Sequence, residues 1–100
     1  MEPRIPIDMG KIKAFCEKWR VTELSLFGSV LRSDFGPESD VDVLVKINKN
    51  APWDTIDFVY MIDDLEKIFG RKVDLLEAEG IRNPFRRYEI AKTRKIIYAA

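Results

Sequence analysis

Val41, Val43, Leu44, Val45 and Ile47 form a nearly continuous apolar run, and Asp42 lies inside it. Such a run reads as an interior strand over residues 41–47, covered on both faces, so the sheet needs a packing layer on either side. An unpaired acid within that strand is costly. Asp40 and Asp42 are two apart at the strand's mouth, and alternation along a strand points both side chains to one face. Two adjacent carboxylates repel and cannot both ionise cheaply. A divalent cation removes the conflict, and oxygen-only ligands select a hard ion such as Mg²⁺. Gly28-Ser29 stands before Asp40 with ten residues between them, where an earlier strand ends and a helical turn can begin. Backbone N–H groups at such a turn come to face phosphate. Carboxylates for a metal beside a cradle for phosphate point to nucleotide chemistry.

The flanking elements follow from periodicity. Asp8 can cap a helix whose residues Ile12, Phe15, Cys16 and Trp19 make one apolar stripe. From Val21 to Phe27 the period becomes two, giving a first strand that ends at Gly28. Residues 30–35 suffice for about a turn and a half of helix, and Gly36-Pro37 then breaks it. After a polar loop over 48–52, Asp54 or Thr55 can cap a helix with a stripe of Phe58, Ile62, Leu65 and Phe69, stopped by Gly70. Val73–Leu76 reads as a third strand. Asn83-Pro84 starts a last helix reaching about Lys92, and Ile96-Ile97-Tyr98 closes the sequence as a short strand or packed tail.

This order gives an α/β chain with a mixed central sheet flanked by helices, and residues 1–100 are expected to form a single domain. A helical crossover between the second and third strands makes them parallel neighbours. Asp74 then falls beside the Asp40/Asp42 pair. The short link between the first two strands implies a reversal, which brings Gly28-Ser29 to the same end.

Composition removes competing chemistries. Lys+Arg and Asp+Glu both number 17, so no net field recruits nucleic acid or an anionic membrane. Histidine is absent, which excludes an imidazole base and imidazole-bound zinc. The lone Cys16 has no disulfide partner and suits a reducing cytosol as a core residue. The first residues, with Glu2, Arg4 and Asp8 around two prolines, do not read as a signal peptide, and no apolar run approaches membrane-spanning length.

Each site element also has a plainer reading. Asp40 could be a turn residue, Asp42 could pair with Arg32 or Lys72, Asp74 could form a salt bridge, and Gly28-Ser29 could be an ordinary turn. Arg32 reads equally as a solvated residue or a phosphate contact. The segment Arg86-Arg87…Lys92…Arg94-Lys95, interleaved with Tyr88 and Tyr98, is a solvated face, a partner surface or a source of triphosphate contacts. Trp53 and Phe58 could stack on a base, with rim packing the simpler role. Asp63-Asp64, diverging by about 100° on a helix, reads as solvent-exposed.

The stretch Leu26-Phe27-Gly28-Ser29-Val30-Leu31-Arg32, then Ser39-Asp40-Val41-Asp42-Val43-Leu44-Val45, then Arg71-Lys72-Val73-Asp74-Leu75, resembles the minimal nucleotidyltransferases of the DNA polymerase β-like superfamily. The resemblance implies their palm-like fold. It implies that Gly28 and Ser29, with Arg32 beside them, hold the triphosphate of ATP, that Asp40 and Asp42 bind Mg²⁺, and that Asp74 completes the metal site and helps deprotonate an attacking hydroxyl. It further implies an antitoxin that transfers AMP to a tyrosine of a HEPN RNase toxin in the cytoplasm. Transfer to a small acceptor such as an aminoglycoside, and neutralisation by binding alone, are the alternatives.

Overall fold

Asp8 accepts a hydrogen bond from the Lys11 N–H at 3.1 Å and so opens α1 (Met9–Trp19), which buries Ile12, Phe15, Cys16 and Trp19. The computed structural model describes residues 5–32 and 35–100. Chain order continues through β1 (Val21–Phe27), a 3-10 turn (Gly28–Leu31), β2 (Val41–Ile47) and α2 (Thr55–Phe69). It ends with β3 (Val73–Glu77), a second 3-10 turn (Ala78–Gly80), α3 (Pro84–Thr93) and β4 (Lys95–Ala99). The expected mixed α/β architecture is present: one four-stranded sheet in the order β3-β2-β1-β4. β2 and β3 run parallel, and β1 is antiparallel to both β2 and β4.

Caps explain where the helices begin and end. Asp54 takes the N-cap of α2 in a reciprocal box with Asp57, and Gly70 ends the helix at φ 68°. Asn83 caps α3 by accepting from the Phe85 and Arg86 N–H groups, with Pro84 at the first turn. The helical turn expected over residues 30–35 is displaced. It is a 3-10 turn that begins at Gly28 and ends at Leu31, where Arg32 is already extended. Ser33 and Asp34, and the lead-in residues 1–4, lie outside the described residues.

The two sheet faces are unequal. Leu24, Leu26, Val41, Val43, Val45, Val73 and Leu75 pack with α1 and α2 in the main core, together with Met61 and Leu65. Alternation sends Phe27, Leu44 and Leu76 to the other face, where Ile90 of α3 joins a small second cluster. β1 does not show the simple alternation of a half-buried strand: from Leu24 to Phe27 every residue is buried. The cause is its interior position, flanked by β2 and β4 and covered on both sides.

Asp64 corrects the reading of an exposed acid pair. Its carboxylate accepts from Trp19 Nε1 at 2.9 Å and pairs with Lys18 at 2.8 Å, tying α2 to α1. Asp63 remains at the surface, paired with Lys67 at 3.0 Å. Trp53 takes the rim role, donating from Nε1 to the Trp19 carbonyl at 2.7 Å and meeting the Trp19 ring edge-on at 5.1 Å.

Candidate functional site

Register puts two acids side by side on the thinly covered face. Asp42 is the partner of Phe27 across β1 and of Asp74 across β3. Adjacent strands lie about 4.8 Å apart, and paired residues share a face. Asp42 is half-buried, whereas Asp74 and Asp40 are exposed. Burial pushes the Asp42 carboxyl above its ordinary value, and the charges of Asp74 and Asp40 push it further. A hydrogen bond from the Ser29 backbone N–H and the charge of Arg32 oppose this without cancelling it. Of the two cations expected to face Asp42, Arg32 is the one whose charge is felt there.

Gly28 is required where it stands. Its φ is 73°, a left-handed value that side chains disfavour, and a Cβ would collide with Asp42 Oδ2 and lie 3.2 Å from its Cγ. The backbone thus passes directly over the carboxylate. That close approach sets the Ser29 N–H onto Asp42. The turn then closes with the Arg32 N–H donating to the Ser29 carbonyl at 2.9 Å.

Asp40 enters from a braced loop. Arg71 donates to the Gly36 carbonyl at 2.6 Å and lies 4.2 Å from the Phe35 ring centroid. Gly36 N–H donates to Ser39 Oγ at 3.0 Å, and Val41 N–H to the Lys72 carbonyl at 2.9 Å. Asp40, Ser39, Arg71 and Lys72 line an open cavity of about 510 Å³. Sequence reasoning missed the bracing role of Arg71; the only signal was its place next to a strand start, opposite a Gly-Pro break.

These residues suit a hard divalent cation. The donors are carboxylate oxygens, and Asp42, raised first by burial and then by its acidic neighbours, carries like-charge crowding that a cation would relieve. Among the described residues no three acids converge into a preformed metal cage. Mg²⁺ is ordinarily held by one or two carboxylates together with substrate phosphates, so a pair of carboxylates suffices. The remaining sequence candidates lie elsewhere. Arg94 pairs with Glu23, assisted by Lys46 at 3.9 Å, which gives it a structural role. Arg86 and Arg87 stand exposed on α3.

The chain is similar to known proteins in both sequence and fold. Residues 9–97 match the nucleotidyltransferase domain family. A Thermococcus cleftensis relative named protein adenylyltransferase MntA is 31% identical over 88 residues, spanning 86% of this chain and 82% of that protein. A crystal structure of a toxin–antitoxin with AMP-PNP superimposes with a TM-score of 0.74 at 18% identity, covering 94% of this chain and 75% of that one. A structure of tri-AMPylated Shewanella oneidensis HEPN toxin in complex with MNT antitoxin gives a TM-score of 0.65 at 18% identity, covering 91% and 69%. Among the described residues no helix is long and apolar enough to cross a membrane.

Proposed function

This chain belongs to the nucleotidyltransferase domain family, and from that premise we propose that it is a cytosolic, Mg²⁺-dependent protein adenylyltransferase. In this reading it is an antitoxin that moves AMP from ATP to a tyrosine of a HEPN toxin. The observation that carries the reading is Asp42 set opposite Asp74 beneath the Gly28-Ser29 turn. The relative named protein adenylyltransferase and the AMPylated toxin complex supply the acceptor class.

The residues divide the work. Backbone N–H groups at Gly28 and Ser29 take the triphosphate, and Arg32 adds positive charge beside it. Because Ser29 N–H already serves Asp42, the carboxylate must release it for phosphate. Asp40, Asp42 and Asp74 would hold the metal, which supplies charge neutralisation at the phosphates during in-line displacement. Asp74 takes the proton of the tyrosine hydroxyl as its oxygen bonds the α-phosphorus. The bond from the α-phosphorus to the bridging oxygen breaks, and pyrophosphate leaves. No histidine is needed, since phosphoryl chemistry rests mainly on positioning and charge.

Incubation with labelled ATP, Mg²⁺ and a candidate HEPN toxin tests the proposal. Label is expected on the partner with the native protein and is expected to vanish with Asp42→Asn. Neutralisation that persists in the mutant with no label transferred would show an antitoxin acting by contact alone.

A further inference from the structure

Asp42 and Asp74 lie within paired strands, and the ladder between β2 and β3 fixes both. Asp40 differs. It is exposed and stands one residue before β2, so the chain on either side of it decides where it points. On the strand side, the Val41 N–H donates to the Lys72 carbonyl at 2.9 Å. On the loop side, Ser39 is locked to Gly36 in a reciprocal turn. The Ser39 N–H donates to the Gly36 carbonyl at 3.1 Å, and Ser39 Oγ accepts from the Gly36 N–H at 3.0 Å. Pro37 stiffens that turn by fixing its own φ.

Arg71 joins the turn to the body of the protein. Its Nη2 donates to the same Gly36 carbonyl at 2.6 Å, and its guanidinium lies 4.2 Å from the Phe35 ring centroid. Phe35 in turn packs against the main core. The base from which Arg71 reaches is itself anchored to α2 through Glu66. The Gly70 N–H donates to the Glu66 carbonyl at 2.8 Å, and the Val73 N–H to Glu66 Oε2 at 3.0 Å. The lead-in to β3 thus holds both flanks of Asp40, through Arg71 and Lys72, and delivers Asp74 two residues later.

We propose that Arg71 is a positioning residue for the metal site, clasping the Gly36–Ser39 turn so that Asp40 meets the cation held by Asp42 and Asp74. This role rests on the metal-dependent reading above and adds to it the group that sets its loop-borne carboxylate. A direct contact between Arg71 and phosphate is the weaker fit, because the guanidinium is already engaged by the Gly36 carbonyl and the Phe35 ring.

The test is a double-variant cycle on metal affinity, with Mn²⁺ as the paramagnetic probe in place of Mg²⁺. Mn²⁺ binding in the presence of AMP-PNP is measured by electron paramagnetic resonance for the native protein, Arg71→Ala, Asp40→Asn and the two combined. Removing a group that orients a metal ligand costs about 10–100-fold in metal affinity. Arg71→Ala is therefore expected to weaken Mn²⁺ about tenfold or more in the native background, and to change it little once Asp40 is Asn. Loss of the same size in both backgrounds, as a phosphate contact or a general loosening of the fold would give, overturns the positioning role. So does Mn²⁺ affinity unchanged by Arg71→Ala. Arg71→Lys, which keeps a donor but not the planar guanidinium, takes the same place in the cycle if Arg71→Ala does not fold, with the same outcomes deciding. A native protein that binds no Mn²⁺ with AMP-PNP overturns the metal-dependent reading itself, and this role with it.

Discussion

A single hydrogen at Gly28 separates a working turn from a collision with Asp42. Gly28→Ala meets both a positive φ and the carboxylate, so the turn must move. Loss of about 1–3 kcal/mol of stability is expected in denaturant titration, with nucleotide affinity falling in parallel because Ser29 shifts with it. Asp42 itself opposes folding when ionised. Burial and its two acidic neighbours raise its folded-state value above the ordinary 3.8, so folding favours the protonated form. Stability from this group is full below the unfolded value and is lost as pH rises through the window between the unfolded and folded values. Asp42→Asn is therefore expected to melt higher than the native protein at neutral pH and to flatten that part of the stability profile, while losing metal-dependent AMP-PNP binding. A neutral-pH melt lower than native would refute the crowding argument. This pair was legible in sequence because a two-residue period and a helical crossover together dictate register. The Ser29-to-Asp42 hydrogen bond was not, since it depends on how closely the turn's backbone passes over β2.

The contacts joining elements were the least legible, because their partners lie far apart in sequence. Asp64 meets Lys18 and Trp19 across 46 and 45 positions, and Arg94 reaches Glu23 across 71. Local patterning shows Asp64 only as one of two acids on a helix, whereas packing of α2 on α1 turns it toward the Trp19 indole. Burial raises the Asp64 carboxyl, but hydrogen bonds from Lys18 and Trp19, with the charges of Lys18 and Lys67, outweigh it and hold the group below its ordinary value. Its contribution is thus present above the unfolded value and lost as pH falls through the folded one. Asp64→Ala leaves the Trp19 N–H without its acceptor in a side chain only 7% exposed. A cost of about 1–3 kcal/mol is expected, read as a melting-point drop of roughly 4–8 °C per kcal/mol. Part of the loss should fade in acid, where the native carboxylate is itself protonated. An equal gap between the two proteins at neutral pH and in acid, where the native carboxylate is protonated, would show that Asp64 acts by packing rather than by charge.

Across the whole molecule, stability and function divide between the two sheet faces. α1 and α2 close the main core on one face, where Ile12, Leu24, Leu26, Met61 and Leu65 are fully buried. The other face carries Asp42 and Asp74, and α3 is anchored on that face through Ile90 to Phe27 and Leu44. Burying a side chain of this size contributes about 1.5–3 kcal/mol, and ordering ten helical residues costs a backbone entropy of about 1–2 kcal/mol each. One buried anchor cannot hold α3 as firmly as four buried residues hold α1. Amide exchange is expected to separate the two. The amides of α3 should exchange through local opening, with a free energy well below that of the α1 and β2 amides, which should follow global unfolding. Protection of α3 equal to that of α1 in the free protein would mean that the two faces are held alike.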